Sequence, residues 1–169
     1  MATRHFLSST NSDLTGGADW NKYVRYNTSG AASTIAASIA QNAIEVQRAF
    51  TEPLHPGTKA SVTGDYTVKV KVTTGNTNAN IAITLHRVNS AGTIQASSST
   101  TANQSASAGT KTFTLTSVNL GTFAETDRLL VSYRMTGIAM GAVTITLATE
   151  DPDCYIETPF NARFFMASP

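Results

Sequence analysis

The stretch Asp65–Val72, "DYTVKVKV", decides the fold class. Tyr66, Val68, Val70 and Val72 alternate with Thr67, Lys69 and Lys71, the period of a strand with one buried and one wet face. Downstream, "NIAITLHRV" (80–88) repeats the pattern with Ile81, Ile83 and Leu85, and "TGNTNAN" (74–80) reads as the loop between them. "NSAG" (89–92) turns the chain into "TIQAS" (93–97), a hairpin signal. In "KTFTLTSVNL" (111–120), Phe113 and Leu115 oppose Thr112, Thr114 and Thr116. "DRLLVSYRM" (127–135) groups Leu129, Val131, Tyr133 and Met135, and "AVTITLA" (142–148) groups Val143, Ile145 and Leu147. With "NKYVRYN" (21–27) and "STIAASIA" (33–40) the count reaches about eight strands. The expectation is an all-β chain, a jelly-roll-like antiparallel β-sandwich.

Composition agrees. Charged residues make up 14% of the 169 residues, against roughly 25% in ordinary soluble domains. Hydroxyls replace them, with 27 Thr and 16 Ser. Thr is β-branched and suits a half-exposed pleated strand. The length suits one domain. A net charge of +1 without a basic cluster excludes a nucleic-acid footprint. No run approaches the roughly eighteen apolar residues of a membrane helix. "MATRHFLSST" lacks the apolar core of a secretory signal, which suits synthesis in the cytoplasm. A single cysteine, Cys154, excludes an internal disulfide framework or a multi-thiolate zinc site.

Residues 31–50, "AASTIAASIAQNAIEVQRAF", fit either period. Ile35, Ile39 and Ala43 would line a helix, whereas Ile35, Ala37, Ile39, then Ile44, Val46 and Phe50 would line strands; strands are preferred. "SSSTTANQSASAGT" (97–110) is uncharged, low-complexity sequence and reads as a mobile surface loop. Both ends read as arms. Residues 1–20 lack regular patterning but carry Phe6, Leu7, Leu14 and Trp20 as apolar anchors. Residues 151–169 hold Tyr155, Ile156, Phe160, Phe164, Phe165 and Met166, with Pro159 barring a continuous central strand. Residues 21–150 form the sandwich between them. The loop "MTGIAMGA" (135–142) carries Ile138 and Met140 at its tip, and "FTEPLHPGTKA" (50–60) is a proline-stiffened crossover with Leu54 at its centre. These anchors are the candidate partner contacts.

Catalytic chemistry finds little footing. His5, His55 and His86 stand far apart in the sequence, and no nucleophile elbow, phosphate loop, zinc-protease or dinucleotide motif occurs. Cys154 follows carboxylates, which disfavour a thiolate. Glu150, Asp151 and Asp153 form the one candidate cation cluster, and a solvated turn is its simpler reading. Glu125 and Asp127 solvate the turn before a strand, with Asp127 positioned for Arg128 or a nearby amide. The expectation is a non-enzyme without a cofactor or metal.

Taken together, "FLSSTNSDLTGGADWNKY" (6–23), "FTEPLHPGT" (50–58), "YTVKVKVTTGNTNANIAITLHRVNSAGT" (66–93) and "LGTFAETDRLLVSYRM" (120–135) resemble small structural proteins of tailed bacteriophages. In particular the chain is similar to the jelly-roll decoration, or cement, proteins of phage heads. The similarity covers most of the chain and lies in its texture: a Thr-rich sandwich, arms and little charge. It implies a homotrimer on the outside of the head, bridging neighbouring major capsid subunits, with no active site. On that reading the two arms and the 137–141 loop hold the capsid, and residues 155–169 are dispensable for folding. The competing class is a carbohydrate- or receptor-binding module of a phage tail or fibre. Trp20, Tyr23, Arg25 and Tyr26 would be its ligand-facing candidates, and a carbohydrate partner is implied only there.

Overall fold

Alternation sorts the chain as expected. Tyr66, Val68, Val70 and Val72 are buried, and so are Leu129, Val131, Tyr133 and Met135. The computed structural model describes residues 3–14, 21–25, 31–51, 61–124, 126–138 and 141–159. Twelve strands are assigned there: β1 (Thr3–Asn11), β2 (Asn21–Arg25), β3 (Ser33–Ile39), β4 (Ile44–Thr51), β5 (Ser61–Thr74) and β6 (Asn76–Val88), then β7 (Ile94–Ser97), β8 (Gln104–Ala106), β9 (Gly109–Thr122), β10 (Arg128–Gly137), β11 (Val143–Thr149) and β12 (Tyr155–Thr158). No helix occurs among the described residues.

The hydrogen-bonded path runs β3-β11-β5-β12-β1-β2-β4-β10-β6-β7, with β8 on the edge of β6 and β9 on the edge of β5. It folds back on itself into a sandwich. One layer is built on β4, β10 and β6, the other on β9, β5, β12 and β1 with β11 and β3. Strand β2 bridges them, antiparallel to β1 and parallel to β4. Inner side chains of both layers meet in one core that includes Val68, Val70, Ile83, Leu85, Phe113, Val131, Tyr133 and Ile145. Each such side chain contributes about 1.5–3 kcal/mol by leaving water.

Residues 31–50 are strands, as preferred. In β3, Ile35, Ala37 and Ile39 point inward. Strand β4 departs from its expected facing. Gln47 and Ala49 are buried whereas Ile44 and Val46 are exposed, so the apolar pair lies on the outer face. Phe50 is also outward but is covered, in a second cluster with Leu14, Val88 and Leu130.

The expected arms need correction. Strand β1 pairs with β12 from Thr3↔Thr158 to Phe6↔Tyr155, and β12 also pairs with β5. Residues 3–11 and 155–158 are therefore internal strands of the sandwich, because the backbone groups of β5 and β1 need a neighbour on these edges. Pro159 follows the last paired residue, and its ring sits against Gly64. The 97–110 stretch is no free loop either. Ser98 and Thr101 donate their amides to Leu85 and Ile83 carbonyls, and their hydroxyls accept the Leu85 and Ile83 amides. Short hydroxyl side chains readily take the place of a neighbouring strand in this way.

The crossover from β5 to β6 turns at Gly75. A Cβ there would run into the Ala106 carbonyl oxygen and lie 2.6 Å from the Ala108 nitrogen, so backbone must move to admit it. Gly75→Ala should therefore cost about 1–3 kcal/mol of stability, read as a lower urea midpoint at unchanged slope. An unchanged midpoint would show that the 106–108 backbone yields freely.

Candidate functional site

Strand β9 starts with Phe113 and Leu115 inward, yet further on Val118 and Leu120 are the buried residues. A residue must be added to change parity. The register with β5 shifts between Gly64↔Val118 and Tyr66↔Leu115, and Ser117 takes a positive φ of 52°. Asp65 Oδ1 holds this bulge by accepting the Ser117 amide at 2.8 Å. The bulge forms one wall of a groove of about 450 Å³, lined by residues 97–101 and 114–119. Ser97–Thr101, Thr114, Thr116, Ser117 and Asn119 supply hydroxyls and an amide, and Leu115 and Val118 add apolar surface.

No lining residue titrates near neutrality, so the groove offers donors and acceptors but no acid or base of its own. It suits a neutral polar ligand. Sequence reasoning missed it because half of its wall comes from the 97–110 stretch. The parity change from 113 and 115 to 118 and 120 was the available signal.

The expected contact residues separate into four groups. Leu7, Leu14, Tyr155 and Ile156 are buried within their own chain, not offered to a partner, because β1 and β12 complete the sandwich and Leu14 covers Phe50, Val88 and Leu130. Phe6 is half-buried and meets Tyr155 edge-on, with ring centroids 6.1 Å apart. Arg4 lies 4.5 Å and Lys69 5.6 Å from the Tyr155 ring, and Arg4 Nε donates to Glu157 at 2.8 Å. These cations shield the ring, which explains why an outward tyrosine stays covered. Among the described members of the group, Ile138 alone is openly exposed. Trp20, Leu54, Met140, Phe160, Phe164, Phe165 and Met166 lie outside the described residues, as does Tyr26 of the sugar-binding candidates.

Other side chains settle into structural roles. Asp127 accepts the Ala124 amide at 3.0 Å, and Arg87 stands 3.6 Å from it. Arg128 instead makes a bidentate pair with Asp13 at 2.6 and 2.7 Å. Asp151 accepts from Lys71 at 2.8 Å and from the Asp153 amide, so it shapes its own turn. No cluster of three or more metal-ligating side chains occurs among the described residues. Burial pushes the Cys154 thiol up to about 12, which leaves it unreactive at neutral pH.

No protein-family model matches this chain, and no curated protein does. Among solved structures, two of a CocE/NonD family hydrolase from Staphylococcus aureus align over 94% of this chain with TM-scores of 0.55 and 0.57, at 10% and 9% identity. This chain spans only 36% of the hydrolase. Carbohydrate-binding modules of the β-sandwich superfamily align over 85% of this chain and 62% of theirs, at 11% identity and a TM-score of 0.41. At 9–10% identity the likeness to the hydrolase shows a shared chain fold and nothing of activity.

Two histidines make the body acid-sensitive. Burial holds His5 down to about 4, and burial with the nearby Arg48 charge does the same for His86. Both therefore fold neutral while the unfolded chain protonates near 6.5. Their contribution is intact above about pH 6.5 and is lost as pH falls towards about 4. The urea midpoint should decline across that window, and His5→Leu should flatten the decline. A flat profile in the unaltered protein would refute the assignment.

Proposed function

We propose that this β-sandwich is a virion structural protein, a decoration or cement protein that sits on the outside of a phage head and bridges neighbouring major capsid subunits as a homotrimer. The observation that carries this reading is the placement of apolar surface. Ile138, directly after the end of β10, stands 55% exposed. The chain from Phe160 to Met166, with three Phe and a Met, continues directly from β12, a strand fixed between β5 and β1. A sandwich with exposed apolar side chains, followed in sequence by an apolar stretch, suits a fastener. Three copies linked in one trimer raise the effective concentration of each modest contact. Binding only the assembled shell stabilises that shell by mass action.

The test is co-sedimentation with empty heads of the phage that encodes the chain. The full chain should saturate heads at a fixed stoichiometry. A chain ending at Pro159, which keeps β12, should keep its melting temperature and lose head binding. Equal binding by the shortened chain would remove residues 160–169 from the contact. A full chain that ignores heads would overturn the decoration reading.

The hydroxyl-lined groove favours a second reading, a glycan- or receptor-binding module of a phage tail or fibre. Neutral sugars exchange hydrogen bonds with such walls, and Leu115 and Val118 would meet their C–H faces. A glycan array decides it: retention of neutral oligosaccharides that Ser117→Lys abolishes supports this module, and a blank array removes it.

A further inference from the structure

The two outer faces of the sandwich differ in chemistry. Outward positions of β5 and β9 are Thr67, Lys69, Lys71 and Thr73, then Thr112 and Thr114, a hydroxyl and ammonium surface suited to water. The outer face of β4, β10 and β6 is unlike it. Ile44 (52% exposed) and Val46 (37%) lie there, with Ile138 (55%) at one end and Ile94 (45%) at the other rim. These are all the large exposed hydrophobics among the described residues. Arg134 pairs across the ladder with Val46, and Arg48 stands two residues further along β4. The outward positions of these three strands include no Asp or Glu.

One half of this face is already covered, and the cover shows what fits it. Leu14 packs on Phe50, Val88 and Leu130, and its neighbour Asp13 makes the bidentate pair with Arg128. An apolar side chain beside a carboxylate thus answers an apolar strand surface beside an arginine. Among the described residues, the other half, Ile44, Val46 and Arg134, repeats the same chemistry without a cover, and Arg134 has no carboxylate partner.

We propose that the Ile44–Val46–Arg134 face is the docking surface for a protein partner that presents an apolar side chain next to a carboxylate, as Leu14 and Asp13 do on the adjoining half. The partner is the shell protein, an identification that rests on the decoration reading above. Exposed isoleucine and valine lower affinity for water without cost to the strand. The arginine selects for acidic partners and speeds encounter in a salt-dependent way.

The experiment uses empty heads as the probe and compares the full chain with three variants. Ile44→Thr with Val46→Thr removes apolar surface but keeps β-branched strand formers. Arg134→Glu reverses the charge. Thr112→Glu is the control on the opposite face. Thermal unfolding confirms that each variant stays folded. The expected result is a loss of affinity of about tenfold or more for Arg134→Glu, shrinking as salt rises. A comparable loss at all salt concentrations is expected for the double Thr variant, and none for Thr112→Glu. Full binding by both face variants would overturn this surface while leaving the decoration reading intact. Failure of the unaltered chain to bind heads would overturn both. If the double Thr variant instead turns an oligomer into monomers without heads present, the face joins copies of this chain and the proposal fails.

Discussion

The sandwich depends on one short ladder, the insertion of β12 between β5 and β1. Remove those four residues and the path breaks in two: β3, β11, β5 and β9 on one side, β1, β2, β4, β10 and β6 on the other. The ladder works at both levels of structure. Its backbone pairs satisfy donors and acceptors that burial would otherwise leave unmatched. Its side chains send Ile156 into the common core and place Tyr155 under the Arg4 and Lys69 cations. The two described extremities of the chain are thereby fastened to each other, and what lies beyond Pro159 starts from a fixed point.

The same constraint reshapes the functional argument. Apolar residues near both ends invite a picture of free arms reaching for partners. Half of them are occupied in the body, and their apolar character is explained without any partner. Among the described residues the exposed apolar surface is elsewhere, on β4 and its margins, where Ile44 and Val46 face outward and no described segment covers them. A fold that places isoleucine and valine outward on one face and threonine with lysine on the other has two sides with different affinities for water.

Low charge is consistent with both faces. Where most proteins keep a strand surface wet with Lys and Glu, this chain uses threonine, which hydrogen-bonds to water while holding the strand conformation. The same hydroxyls serve as internal partners. Ser98 and Thr101 replace missing strand contacts along β6, and Thr51 Oγ1 accepts the buried Leu129 amide at 3.0 Å. A Thr- and Ser-rich composition is therefore structural here as well as solvating.

Period-two alternation was enough to place β5, β6, β10 and β11 and to tell their inner faces, because side-chain direction along a strand is local geometry. It was also enough for the β-sandwich class. It did not reveal the strands at the two ends, the laced 98–101 segment or the bulge at Ser117, since pairing depends on which edges the rest of the fold leaves open. Nor did it tell that Ile44 and Val46 face outward while Gln47 is buried. Apolar residues announce burial only on average, and the face they take is set by the register with β10, which is a property of two strands together. The candidate surfaces belong to this second kind of information. The groove joins residues about twenty positions apart, and the exposed face becomes visible only once Leu14 and Asp13 are seen to cover its other half.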